Sequence, residues 1–207
     1  MKVAALFSGG KDSTYAIYAA QQRGWDVTHL ITIRPEDAAS MLYHVPNVHV
    51  TPLLAEALGI PLITQEAGRG EEAELDALRA ALRRVRVDGV IVGTIASDYQ
   101  HRRVNRVGHE LGLRVFAPLW RRNPEHLLVS AEGLDASWLG RALDASAVTD
   151  LLGLRDRVGV HPCGEGGEYE TIVLHAPNFQ KRLEVVKAVR EWEGSAGRWR
   201  IEEATLA

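Results

Sequence analysis

Six consecutive residues, Ser8-Gly9-Gly10-Lys11-Asp12-Ser13, constrain this chain more than any other stretch. They follow an apolar burst, Lys2–Phe7, and lead into Ser13–Arg23, which reads as a helix closed by Gly24 in the left-handed position after its end. A strand that turns through glycines into a helix brings backbone N–H groups up to an anion, and the helix N-terminus adds partial positive charge. The segment therefore predicts a phosphate loop. The common nucleoside-triphosphate loop needs glycine five residues before its Gly-Lys and a hydroxyl residue directly after the lysine; here those places hold Ala5 and Asp12. The spacing does not fit the dinucleotide fingerprint G-x-G-x-x-G either, which removes support for a nicotinamide or flavin enzyme.

The pattern repeats downstream. Val27–Ile33 reads as a second strand, followed by a long connection containing Tyr43-His44-Val45-Pro46-Asn47. Thr51-Pro52 opens a helix to about Leu58, with Gly59 after it, and Ile60–Thr64 is a third strand. After Gly70, the spacing of Leu75, Leu78, Leu82 and Val85 predicts an amphipathic helix with early glutamates and late arginines. Val90–Gly93 is a fourth strand, Tyr99–Leu111 a helix and Leu113–Ala117 a fifth strand. Continuous apolar strands alternating with helices predict an α/β fold, a parallel sheet covered on both faces that binds ligands at the carboxyl ends of its strands.

Past Pro118 the alternation stops. Asn123-Pro124 begins a short helix, Asp135 caps another through Trp138, and Ser146–Arg157 forms a third. Thr171–Leu174, Leu183–Trp192 and Trp199–Leu206 read as strands, the last two joined as a hairpin around Gly194-Ser195-Ala196-Gly197. These features divide the chain into a nucleotide-binding domain, 1–120, and a smaller α+β domain, 121–207.

Length and charge narrow the chemistry. A chain of 207 residues holds one or two domains, and 46% hydrophobic residues suffice for a core. The formal charge of −3 supplies no global field for a polyanion, so broad nucleic-acid binding is not expected. With Cys163 alone there is no intrachain disulfide, and the eight histidines form no metal-ligating pattern. The apolar start is too short and too glycine-broken for a signal peptide or a membrane span, so a cytoplasmic protein with no membrane partner is expected. Gly93, closing the fourth strand, is read as leaving room for ribose or α-phosphate at the sheet's carboxyl edge.

The loop closely resembles the pyrophosphate-binding loop of the ATP pyrophosphatases. That resemblance implies that Ser8, Gly9, Gly10, Lys11 and Ser13 cradle the β- and γ-phosphates of ATP, that Asp12 holds Mg2+, and that the end of the second strand, from Thr32, contacts adenine. Four further signatures are similar to the diphthine–ammonia ligase family: Tyr43-His44-x-Pro46-Asn47, then Gly93-x-x-x-Ser97-x-Tyr99-Gln100-x-x-Arg103, then Gly133-Leu134-Asp135-x-x-Trp138-Leu139-Gly140-Arg141, and Gly164-Glu165-Gly166-Gly167-Glu168-Tyr169-Glu170-Thr171. They span nearly the whole chain.

This second resemblance implies a Rossmann-like, HUP-type ATP domain followed by a substrate-recognition domain. It implies a ligase that amidates the carboxylate of diphthine, a modified histidine on translation elongation factor two, through an acyl adenylate. Free ammonium is the expected nitrogen donor, since two domains leave no length for an amidotransferase. Diphthine carries a trimethylammonium group, a cation held by aromatic faces and carboxylates; Glu165, Gly166, Glu168, Tyr169 and Glu170 are the residues expected to meet it. Arg103, with Lys11 and Asp12, is assigned to the chemistry at the α-phosphate, because a guanidinium offers paired donors to phosphate oxygens. Tyr99, Gln100, His44 and Asn47 are expected to border the substrate.

The same adenylation applied to a different carboxylate is the alternative. A tRNA-thiolating enzyme and a non-catalytic nucleotide sensor are more distant ones. A homodimer is left open by the sequence. Two features depart from the family pattern: His101 stands where arginine is usual, and Leu128-Val129-Ser130-Ala131 bridges to Glu132 where the family carries a longer stretch.

Overall fold

The computed structural model describes residues 1–36, 47–95, 97–120, 134–164, 168–194 and 196–207. Five strands, β1 (Lys2–Leu6), β2 (Asp26–Pro35), β3 (Leu62–Ala67), β4 (Gly89–Ile91) and β5 (Arg114–Phe116), form a parallel sheet in the order β3-β2-β1-β4-β5. Val3, Ala4 and Ala5 are all fully buried. Successive strand residues face opposite sides, so both faces of the sheet are covered. The predicted α/β architecture is the observed one.

The covering elements are α1 (Lys11–Gln22), α2 (Thr51–Leu58), α3 (Glu71–Arg83) and α4 (Asp98–Glu110). Leu75, Leu78 and Leu82 of α3 join Val104 and Val107 of α4 against Ala4, Ile31, Ile33, Val90 and Val92. Each such leucine contributes roughly 1.5–3 kcal/mol on burial, so the leucine stripe read from the sequence is what fixes α3 to the sheet. On the outer surface Arg79 bonds Glu72, Asp76 and Glu110, lacing α3 to α4.

Two strand expectations are corrected. β3 begins at Leu62 instead of Ile60, because Gly59 takes φ +70° and the Ile60 amide turns back to Ala55 O, closing α2. Thr171–Leu174 is not a strand: Val173 donates its amide to Gly9 O and Leu174 O accepts from Leu183, so this backbone bonds to the glycine loop and to its own continuation.

The sheet order places β1 between β2 and β4, and the chain winds outward in one direction from β1 and then in the other. Order therefore reverses between β1 and β4. The glycine loop leaves the carboxyl end of β1 and Gly93-Thr94 follows β4, so both occupy the crevice where open α/β sheets bind ligands.

Contacts group Met1–Trp120, Thr171–Glu184 and Thr205–Ala207 into one compact unit, and Arg121–Glu170 with Val185–Ala204 into a second. In the second unit, α5 (Ala145–Val158) starts where Asp144 accepts from Ala147 N at 2.9 Å and stops at Gly159. Leu151, Leu154 and Val160 pack with Leu134, Trp138, Val158 and Tyr169. Asp135 caps a single 3₁₀ turn, Ala136–Trp138, as its sequence position predicts. The strands β6 (Leu183–Glu193) and β7 (Ala196–Leu206) form the expected hairpin. The helix expected at Asn123-Pro124 and the short bridge at 128–132 lie outside the described residues. Among the described residues no helix is long and apolar enough to cross a membrane.

Candidate functional site

Two serines tie the glycine loop together. Ser13 Oγ donates to Gly10 O at 3.1 Å and accepts from the Ser8 amide at 3.3 Å. Its one hydrogen is thus committed, so the 3.1 Å contact between the two hydroxyls has Ser8 Oγ as donor, while Ser8 Oγ accepts from the Gly10 amide. These bonds hold Gly9 and Gly10 in a tight turn over the start of α1. Gly9 has φ +81°, and a Cβ there would fall 2.6 Å from Leu54 Cδ1 of α2, so glycine is required for both conformation and space.

The first turn of α1 carries amides with no helical acceptor. Lys11 N–H donates to Thr171 Oγ1 at 3.1 Å, whereas the amides of Asp12 and Ser13 have no acceptor among the described residues. Two unspent amides at a helix N-terminus, at the carboxyl edge of a parallel sheet, form a place for an anion. Lys11 Nζ lies 2.9 Å from Asp12 Oδ2, and both side chains are about a third exposed. They place a cation and a carboxylate at the mouth of the loop. Mg2+ is bound through one or two carboxylates plus phosphate oxygens, and Asp12 is a donor of that type. No cluster of three or more metal-ligating side chains exists among the described residues.

Gly93 has a different reason from the one expected. A Cβ there would lie 2.7 Å from Ser13 N and 2.8 Å from Asp12 C, so its bare face receives the backbone of α1's first turn instead of opening space for a ribose. Thr32 is buried and donates to Phe7 O at 2.7 Å, which fixes the peptide that enters the loop. Asn47 precedes the 3₁₀ turn Val48–Val50 that leads into α2, the helix beneath Gly9. His44 lies outside the described residues.

Ser97 caps α4 by accepting from Gln100 N at 3.3 Å, and Gln100 Oε1 accepts from Thr94 Oγ1 at 3.4 Å, next to Gly93. Arg103 is engaged by its own neighbourhood. Its Nη2 donates to Glu71 Oε2, its Nη1 donates to Tyr99 O, and its guanidinium lies 3.3 Å from the Tyr99 ring centroid. Tyr99 OH donates to the same Glu71 oxygen at 3.0 Å. Arg103 and Tyr99 hydrogen bonds hold the Glu71 carboxyl below the usual carboxylate range, and burial followed by Glu71 pushes the Tyr99 phenol up. Glu71 was not anticipated; its only signal was its place at the start of a helix, after Gly70. His101, the departure from the family pattern, stacks on Trp120 with ring centroids 4.1 Å apart.

In the second unit, two of the residues expected to meet a cation, Glu168 and Tyr169, hold the backbone of their own segment. Glu168 Oε1 accepts from His161 N at 2.8 Å, Tyr169 OH donates to Pro162 O, and the Tyr169 ring lies over Gly164, whose φ is +72°. Glu168 Oε2 is buried with no hydrogen-bond partner among the described residues. His161 Nδ1 accepts from Cys163 N, which leaves its ring hydrogen on Nε2. Glu165 and Gly166 lie outside the described residues. Thr171, the last residue of this signature, belongs to the first unit and to the glycine loop.

Residues 1–115 match the diphthamide synthase N-terminal domain family and residues 125–207 match the diphthamide synthase C-terminal domain family. The chain is similar to the diphthine–ammonia ligase of Rattus norvegicus, with 37% identity covering 89% of this chain and 83% of that protein. It is similar also to that of Homo sapiens, with 36% identity covering 88% and 82%, and to that of Schizosaccharomyces pombe, with 35% identity covering 88% and 36%. The rat alignment runs over 222 positions, more than this chain's 207 residues, so that relative carries residues this chain lacks. Among solved structures, a predicted subunit of tRNA methyltransferase from Methanocaldococcus jannaschii aligns with 19% identity and a TM-score of 0.43 over 59% of this chain and 71% of that one.

Proposed function

The chain belongs to the diphthamide synthase family, and on that premise we propose that it amidates the carboxylate of diphthine on translation elongation factor two, using ATP and free ammonium. The observation that carries this reading is the glycine loop with its unspent Asp12 and Ser13 amides at the switch point of the sheet. In this reading the domain ending near residue 120 holds ATP and the remainder recognises the modified side chain, in a cytoplasmic enzyme.

The reaction balances without a protein nucleophile. A diphthine carboxylate oxygen attacks the α-phosphorus, the bond to the bridging oxygen breaks, and pyrophosphate leaves. Ammonia then attacks the acyl carbon, and AMP departs with the former carboxylate oxygen. Ser8, Gly9, Gly10, Lys11, Asp12 and Ser13 hold the β- and γ-phosphates, the Asp12 and Ser13 amides and the lysine charge meeting the phosphate oxygens while the serine hydroxyls and the glycines keep the loop in shape. Asp12 would hold Mg2+ from the protein side, and the ion would supply charge neutralisation at the phosphates. Thr32 and Gly93 act on the ATP site through the loop, by fixing the peptide that enters it and by seating the first turn of α1, and His44, Asn47, Tyr99 and Gln100 are assigned to the border of the substrate. Arg103 steadies charge at the α-phosphate, which requires its guanidinium to exchange Glu71 for a phosphate oxygen.

The cationic end of diphthine meets Glu165, Gly166, Glu168, Tyr169 and Glu170. The buried Glu168 Oε2 supports this, because a carboxylate oxygen removed from water and with no donor among the described residues is stabilised by a cation. The path of oxygen tests the mechanism. With diphthine labelled by ¹⁸O in its carboxylate, one labelled oxygen is expected in AMP; label in inorganic phosphate, with ADP as co-product, overturns the acyl adenylate.

A further inference from the structure

The glycine loop has a partner 160 residues away in sequence. Three contacts hold the backbone Thr171–Val173 along the loop. Thr171 Oγ1 accepts from Lys11 N at 3.1 Å, Val173 N donates to Gly9 O at 2.9 Å, and Thr171 O lies 3.2 Å from the point where a Gly10 Cβ would stand. A Cβ on Gly10 would press on Thr171 O, so the bare α-carbon eases the close approach of the two segments.

The hydroxyl is the informative atom. Lys11 N–H is one of the first-turn donors that a phosphate loop aims at its ligand. Here that donor ends on Thr171 Oγ1, which still carries a hydrogen of its own, and that hydrogen has no acceptor among the described residues. A hydroxyl that accepts from a helix N-terminal amide is polarised by it and becomes a stronger donor. Thr171 therefore replaces a backbone donor with a side-chain donor rather than subtracting one.

We propose that Thr171 is a phosphate-binding residue of the glycine loop: its Oγ1 accepts from the Lys11 amide and donates its hydrogen to a β- or γ-phosphate oxygen. The assignment rests on the reading of the loop as an ATP site and adds a ligand drawn from the far end of the Gly164–Thr171 signature. Through the Glu170–Thr171 peptide bond, the segment assigned to diphthine is continuous with a phosphate ligand. The chain thus ties substrate recognition to ATP activation by one covalent link.

The test uses the full chain and needs no elongation factor. Binding of inorganic pyrophosphate, ATP and AMP is measured by calorimetry for the unsubstituted chain, Thr171→Val and Thr171→Ser. Valine keeps the β-branch and removes the hydroxyl, whereas serine keeps the hydroxyl. Loss of one hydrogen bond to a charged oxygen is expected to weaken pyrophosphate and ATP about ten-fold or more in the valine variant, with AMP unchanged and serine near the unsubstituted chain.

Equal weakening of AMP and ATP by valine marks a structural residue and overturns the assignment, as does unchanged pyrophosphate binding. A serine variant as weak as valine overturns it too, since the hydroxyl would then not be the cause. If the unsubstituted chain binds neither pyrophosphate nor ATP, the loop reading and this inference fall together. If it binds both but amidates no diphthine, only the substrate assignment falls.

Discussion

The two glycine-rich loops of this chain use similar residues in opposite ways. In Ser8–Ser13 the hydroxyls bond to one another and to backbone, the glycines make room for Leu54 and Thr171, and the amides of Asp12 and Ser13 remain for a ligand. Near Gly164, two of the side chains expected to be ligands bond to backbone instead: Glu168 holds the His161 amide, and Tyr169 covers Gly164 and bonds Pro162. Charge and aromaticity in a glycine loop therefore do not separate a binding residue from a building residue. The destination of each hydrogen bond does.

The comparison breaks first at Lys11. Lys11→Ala is expected to lower kcat at least about 100-fold, the scale of losing a preorganised charge at a transition state, with little change in unfolding midpoint. Steady-state pyrophosphate release with urea unfolding checks both, and retained turnover removes the loop from the reaction. Gly93→Ala is next. Its Cβ would press on the Ser13 and Asp12 backbone, which cannot rotate away as a side chain can, so a stability loss of about 3 kcal/mol by urea titration is expected, together with weakened ATP binding. An unchanged unfolding midpoint would show that α1 is not seated on β4 as described.

Tyr169→Phe sharpens the other side. If the phenol is a building group, its loss costs about 1 kcal/mol of stability through the Pro162 bond, and KM for the modified factor stays within two-fold because the ring remains. A raised KM with unchanged stability would make Tyr169 OH a ligand.

The smallest effect concerns acid. Glu71, Glu110, Asp135 and Asp144 all have carboxyls held below their usual range, by Arg103, Arg79, Ser137 and the Ala147 amide respectively. Groups depressed in the folded state stabilise it above their unfolded values near pH 4 and lose that contribution as pH falls through the folded ones. Tm is therefore expected to be insensitive to these groups between pH 5 and 7 and to drop below about pH 4, more shallowly in Asp144→Ala. A drop that begins near pH 6 would implicate histidines instead.

Much of this was legible in the sequence because it is local. β1, the glycine turn and α1 are set by a short apolar run, two glycines and a closing Gly24, and the leucine spacing of α3 is a one-dimensional record of which face is buried. The misreadings are long-range. Thr171–Leu174 has a strand's composition, yet its partner is a loop at the other end of the chain, and no periodicity reports that. Gly93 looked like room for a ligand because spacing says that a side chain is absent, not what fills the gap. Arg103 was readable as a phosphate donor; that Glu71 and Tyr99 already hold it depends on how α3 lies against α4.

The central claim is that this chain joins ammonium to a diphthine carboxylate at the expense of ATP. The most direct measurement supplies ¹⁵N-ammonium and ATP with diphthine-bearing elongation factor, follows the modified histidine by mass spectrometry, and counts AMP released. The account predicts ¹⁵N in the side-chain amide in one-to-one ratio with AMP. AMP formation with no ¹⁵N in the factor would assign the chain to another carboxylate, and no AMP in the presence of all three components would contradict the account.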